Sequence, residues 1–116
     1  MRSDEPTRLM NEPLPAVAWL MVRAGGPDRG RRFDLRPRSH NKIGRSASCA
    51  IILDNDTVSK EHAKVLHIGN GHYDLLDLGS LNGTTLNGMR VNGRASLHDG
   101  DVIQIGNVKL IYKDIH

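Results

Sequence analysis

The chain has 116 residues, enough for one folded domain with its own core and too few for two. Hydrophobic residues make up 38% of it, beside 12 glycines, which excludes a wholly disordered chain. The formal charge of +3 is a mild excess, and aromatic residues at 3% (Trp19, Phe33, Tyr73, Tyr112) are too few for a base-stacking nucleic-acid platform. Cys49 is the single cysteine, so neither a disulfide framework nor a cysteine-based metal site is expected, and the six histidines lack ligand spacing. The apolar stretch Ala16 to Val22 is too short to span a bilayer and lacks the flanks of a secretory signal. A reducing cytoplasm is the expected compartment, with no cofactor, metal, nucleic acid or membrane as partner.

Residues 1–15 hold three of the five prolines and no apolar period, the pattern of a flexible tail before a domain over 16–116. Within it, Thr7 in Asp4-Glu5-Pro6-Thr7-Arg8-Leu9 reads either as an incidental threonine or as a phosphorylation site that the domain itself, or a neighbouring copy, captures. Val17 to Arg23 alternates as a strand, with Leu20 and Val22 on one face and Trp19 and Met21 on the other. Gly25 to Asp28 turns the chain into a second strand, Arg31 to Leu35. Arg23, Arg29, Arg31, Arg32, Arg36, Arg38, Lys42 and Arg45 crowd this third of the chain, opposed only by Asp28 and Asp34. Such a run is either a solvated edge strand guarded by charge or a positive field that draws in an anionic partner.

Short strands follow at Asn41 to Gly44 and Ala50 to Leu53. Ala63 to Ile68 alternates cleanly and turns through Gly69-Asn70-Gly71 into Tyr73 to Leu78, which spells a hairpin. Ser80 to Gly88 then carries two Asn-Gly pairs, read as turn, very short strand and turn, with polar groups suited to a binding rim. Val91, Leu97, Val102 to Ile105 and Val108 to Tyr112 supply the remaining strands, the last two joined by a Gly106-Asn107 turn. No window sustains a 3.6-residue apolar period, so the expected class is all-β, a sandwich.

Three side chains in or beside the connecting segments have the chemistry a phosphate dianion requires. Arg45 offers a guanidinium fork, Ser59 a hydroxyl and Lys60 an ammonium. Charge-assisted hydrogen bonds of this kind contribute roughly 1.5–3 kcal/mol each, so three would dominate a short peptide's affinity. Competing chemistries fit less well. Ser59 and His62 have neither a strained nucleophile elbow nor a third acidic member, which argues against catalysis. Asp54-Asn55-Asp56 opens like a calcium loop, but Val58 and Ser59 stand at its fifth and sixth positions and no closing Glu follows. His67 and His72 flank one turn without a further ligand.

Five segments occur in order: Ile43-Gly44-Arg45, Ser59-Lys60-Glu61-His62, Asp77 to Thr84, Asn87-Gly88, and Leu97 to Gly106. Their succession resembles the forkhead-associated (FHA) domain, a phosphothreonine-peptide reader, over about residues 17–113. The resemblance implies a β-sandwich of about eleven short, mostly antiparallel strands with binding loops at one end. It implies that Arg45 and Ser59 bind phosphate, that Lys60 reaches it, and that Asn82 grips the peptide backbone beside the phosphothreonine. His62 would brace the binding loop, with Gly44, Gly83, Asn87 and Gly88 shaping the loops. Thr57 and Leu81 occupy positions that read residues after the phosphothreonine; Leu81 departs from the polar residue often found there. The implied function is non-catalytic docking of proteins modified by Ser/Thr kinases, the partner being a kinase or its substrate. A phosphorylation-independent interaction domain with the same fold is the alternative, and nucleic-acid binding through the basic third a more distant one.

Overall fold

A computed structural model describes residues 17–115. The expected tail, with Thr7, lies outside the described residues. Eleven strands are formed: β1 (Ala18–Ala24), β2 (Arg32–Asp34), β3 (Lys42–Gly44), β4 (Ile51–Ile52), β5 (Ala63–Gly69), β6 (His72–Asp77), β7 (Thr84–Leu86), β8 (Met89–Arg90), β9 (Arg94–Ser96), β10 (Val102–Ile105) and β11 (Val108–Asp114). They build a six-stranded sheet in the order β2-β1-β11-β10-β7-β8 and a five-stranded sheet in the order β4-β3-β5-β6-β9. The β3–β4 pair is parallel, and the other registered pairs are antiparallel. No helix among the described residues is long and apolar enough to cross a membrane.

Period-two alternation sends one side chain in two between the sheets. Ala18, Leu20 and Val22 of β1, Ile103 and Ile105 of β10, and Leu110 and Tyr112 of β11 meet Ala63 and Val65 of β5 and Tyr73 and Leu75 of β6, all of them buried. Full burial of each larger apolar side chain stabilises the fold by about 1.5–3 kcal/mol. With so few aromatics, the two tyrosines span the gap between sheets, ring centroids 6.3 Å apart and tilted. Val91 and Leu97, read as strand residues, are core anchors that immediately follow β8 and β9.

Part of the basic run, Arg31 and Arg32, lies at a sheet edge. β2 is the outermost strand of its sheet. Arg32 pairs with Asp34 at 2.7 Å and lies over the Trp19 ring at 4.1 Å, while Arg31 lies over Phe33 at 4.7 Å. Charge on this strand blunts edge-to-edge pairing. The first and last strands are neighbours, with Ala18 opposite Asp114, and the Ile115 N–H extends their pairing to the Val17 carbonyl at 2.8 Å.

The crossover from β2 to β3 carries the chain from one sheet to the other, and Asn41 pins it. Asn41 is buried in a left-handed conformation, φ 32°. Its Oδ1 accepts the Arg36 N–H at 2.9 Å, and its Nδ2 donates to the carbonyls of Arg36 and Val65 at 3.0 Å and of Ser39 at 3.3 Å. Asn41→Ala strands these groups in the interior and adds left-handed strain, so it is expected to destabilise the domain by about 2–3 kcal/mol in urea unfolding. An unchanged midpoint would contradict the assignment of Asn41 as the pin.

Candidate functional site

The loops β3–β4 (45–50), β4–β5 (53–62) and β6–β7 (78–83) meet at one end of the sandwich. Backbone bonds run from Arg45 N–H to Ser59 O (3.0 Å) and from Ser46 N–H to Lys60 O (3.1 Å), zipping the first two loops together. Gly44 makes that approach possible, because a Cβ there would sit 2.1 Å from Lys60 O and 2.9 Å from Cys49 Sγ. Cys49 is a structural member of the same contact. Its thiol, pushed up by burial, donates to Lys60 O at 3.3 Å.

Three of the side chains expected to bind ligand, Arg45, Ser59 and Asn82, are each held by one side-chain hydrogen bond and keep further valences. Arg45 donates Nε–H to Val58 O at 3.1 Å, which leaves the two terminal amino groups of an exposed guanidinium for a ligand. Ser59 Oγ accepts the Leu81 N–H at 3.1 Å, which turns its own proton away from that contact. Lys60 is exposed and makes no ion pair among the described residues; its neighbour Glu61 pairs with Lys42 at 3.5 Å. Asn82 is exposed and donates from Nδ2 to Thr57 O at 2.8 Å, a bond that uses one of its amide hydrogens and leaves its Oδ1 uninvolved. Leu81, 88% exposed, caps this rim with an apolar side chain.

His62 is fully buried beneath the rim. Its Nδ1 accepts the Ser59 N–H at 3.0 Å, which places the ring proton on Nε2, 2.8 Å from the Gly83 carbonyl that accepts it. One imidazole thereby joins the β4–β5 and β6–β7 loops.

Other expected residues are placed differently. The Thr57 hydroxyl donates to Asn55 Oδ1 at 2.5 Å and accepts the Asn107 N–H at 2.8 Å, so it supports the loop from below. Asn87 and Gly88 (φ 51° and 85°) form the tight β7–β8 turn at the end of β7 remote from Asn82. There Asn87 bonds Asp101 at 3.0 Å and the Val102 N–H at 2.9 Å, and the structure does not bring this turn to the Arg45–Ser59 cluster. Asn82 has no positive φ, and only Gly83 (φ 82°) does, so this first Asn-Gly pair closes a longer loop instead of making a two-residue hairpin. Among the described residues, no group of three His, Cys, Asp or Glu is placed to hold a metal ion.

The loop-holding roles of two residues, Asn55 and Asp77, escaped sequence reasoning. Asn55, in the stretch that opens like a calcium loop, is an Asx-turn that caps Thr57 N–H at 2.9 Å and reaches Gly25 O at 3.0 Å. Asp77 is the hub of the β6–β7 loop, accepting Gly79 N–H, Ser80 N–H, Ser80 Oγ–H and Thr84 Oγ1–H between 2.6 and 3.1 Å. An Asp followed within three residues by Gly and Ser is the signal that marks such a turn. Burial raises the Asp77 carboxyl, but the bonds from Ser80, Thr84 and Gly79 outweigh it and hold the group below the usual carboxylate range. As pH falls, the unfolded chain binds this proton first, so the stability Asp77 supplies is complete above the unfolded pKa of about 3.9 and is lost toward the lower folded value. Asp99, held low by the Asp114 N–H, adds a parallel contribution. Asp77→Asn is expected to cost about 1–3 kcal/mol at neutral pH and to flatten, without abolishing, the acid limb of stability followed by urea unfolding at a series of pH values. An acid limb as steep as in the parent protein would contradict this role.

Comparison with known proteins matches the geometry. The FHA domain profile fits residues 41–106. The chain is 40% identical over 99 residues to an oxoglutarate dehydrogenase inhibitor from Corynebacterium efficiens, covering 85% of this chain and 68% of that protein. It is 39% identical over 101 residues to the glycogen accumulation regulator GarA of Mycolicibacterium smegmatis, covering 87% of this chain and 62% of the relative. Among solved structures, one from a study of phosphothreonine-dependent FHA domain interactions superposes with TM-score 0.74 at 33% identity, covering 85% of this chain and 96% of that one. The FHA domain of FhaA, complexed with the intracellular domain of Rv3910, gives TM-score 0.73 at 33% identity, covering 83% and 99%. Motif order, sandwich topology and sequence identity agree, and the chain belongs to the FHA domain family of phosphothreonine-peptide-binding modules.

Proposed function

We propose that this chain docks phosphothreonine segments of proteins modified by Ser/Thr kinases, without catalysis of its own, through the loop end that carries Arg45, Ser59, Lys60 and Asn82. The observation that carries the reading is the division of labour at Arg45 and Ser59, where one side-chain hydrogen bond to the protein fixes each group and leaves its remaining donors for a ligand. Two guanidinium N–H groups and one hydroxyl proton then converge on phosphate oxygens, while Lys60 adds a mobile positive charge. Asn82 presents both a donor and an acceptor, the complement of a peptide unit of an extended ligand. Leu81 offers an apolar surface to a side chain following the phosphothreonine, and Thr57 acts on the ligand only through the loop it shapes.

The relatives named for enzyme inhibition and for regulation support a regulatory role, in which the partner is a kinase, its substrate or a metabolic enzyme, and the compartment proposed for it is the cytoplasm. Thr7, once phosphorylated, is a further proposed ligand for this site within the chain or on a second copy. Self-association that rises with concentration after phosphorylation and vanishes in Thr7→Ala is the expected sign of the second arrangement.

Titration with matched phosphothreonine, phosphoserine and unmodified peptides tests the main reading. Binding is expected to require phosphate, to be abolished by Arg45→Ala in a domain that still melts cooperatively, and to weaken by about tenfold or more in Ser59→Ala. Equal affinity for the three peptides would sink it. Binding to a partner that persists without phosphate and survives Arg45→Ala would identify a phosphorylation-independent interaction domain instead.

A further inference from the structure

We propose that the outer face of the six-stranded sheet carries an accessory subsite for acidic side chains of the same phosphopeptide, formed by Arg90 and Lys109; the proposal rests on the phosphothreonine reading above. The two residues belong to one cross-strand row. Lys109 of β11 stands opposite Gln104 of β10, Gln104 opposite Thr85 of β7, and Thr85 opposite Arg90 of β8. The inward neighbours Ile103, Ile105, Val108 and Leu110 are buried, which places this row on the solvent side.

The row borders the binding loops. A Cβ on Gly83 would lie 3.2 Å from Arg90 Cζ, so the guanidinium rests on the peptide unit immediately after Asn82. Gln104 donates to the Gly106 carbonyl at 3.1 Å, and a Cβ on Gly106 would fall within 2.5 Å of the Thr57 hydroxyl, so the middle of the row abuts the β4–β5 loop. Between strands spaced about 4.8 Å apart, Lys109 and Arg90 are separated by roughly 14 Å, the reach of about four extended residues. A peptide held at Asn82 therefore meets the row as it leaves the loops.

Charge decides what it meets there. Arg31, Arg32, Lys42, Arg94 and Lys113 each pair with an acidic residue within 3.9 Å. Arg90 and Lys109 are exposed and have no such partner among the described residues, and Gln104 and Thr85 between them are neutral. A row of two cations and no acid, continuous with a phosphate site, selects carboxylates over apolar or basic side chains.

A neutral-flanked phosphothreonine peptide and variants with Glu walked through the flanking positions, titrated against the intact chain, test this. In the parent protein at least one Glu position is expected to strengthen binding about two- to fivefold, with the gain shrinking as salt is added. Arg90→Gln combined with Lys109→Gln is expected to erase that gain, read as the ratio of Glu-flanked to neutral-flanked affinity within the same variant. The absence of a gain at every position, or a gain that persists in the double variant, would overturn the subsite with phosphate recognition intact. Loss of phosphate dependence in the neutral-flanked peptide would instead overturn the parent reading and the subsite with it.

Discussion

The imidazole of His62 is the contact on which the recognition end depends. At the end of a sandwich the strand ladders stop, and loop N–H and C=O groups must find partners elsewhere or face water. Water would satisfy them but would not order them. His62, buried, gives one ring nitrogen to Ser59 N–H and one to Gly83 O, so two loops far apart in sequence share a single rigid spacer. Removing it leaves the buried Gly83 carbonyl unpaired, at a cost of about 1–3 kcal/mol, and frees the half-buried Ser59 N–H as well. The same event releases the serine and asparagine that flank those groups.

From this brace follows the economy of the rim. Ordering a long side chain costs about 1.5–2 kcal/mol of rotamer entropy, which the ligand of the proposed site would lose from its affinity if it had to order Arg45 and Asn82 itself. Here the folded protein has already ordered them, through Val58 O and Thr57 O. The Thr57 and Val58 carbonyls of the β4–β5 loop thus serve as positioning acceptors for side chains of the two neighbouring loops. Asp77 does the equivalent for the third loop by collecting four donors on one carboxylate. Anchored loops and free outward valences are two aspects of one hydrogen-bond arrangement.

Period and turn chemistry made the long hairpin from Ala63 to Asp77 legible, because alternation over seven and six residues is hard to mistake. The short strands were less so. β4 and β8 have two residues each, too few for any period, and exist because longer neighbours present a ladder to them. The two Asn-Gly pairs show the same limit. The dipeptides are identical, yet Asn87-Gly88 is a left-handed pair between two strands, while Asn82 keeps ordinary backbone because Ser80 Oγ and His62 hold Gly83 from both sides. The groups proposed to bind phosphate, Arg45, Ser59 and Lys60, could be picked out by residue type and segment order alone. The use of the Thr57 hydroxyl could not, since its partner Asn107 is 50 residues away and only tertiary register brings them together.

Adjacency of the first and last strands bears on how such a module is carried. Val17 and Ile115 are joined by a hydrogen bond, and β1 runs from there to Gly25, which meets Asn55 at the recognition end. Polypeptide on either side of the sandwich therefore attaches at a single point, on the pole opposite the rim. Grafting the domain between two other units would need only a gap about as wide as one strand spacing, roughly 5 Å.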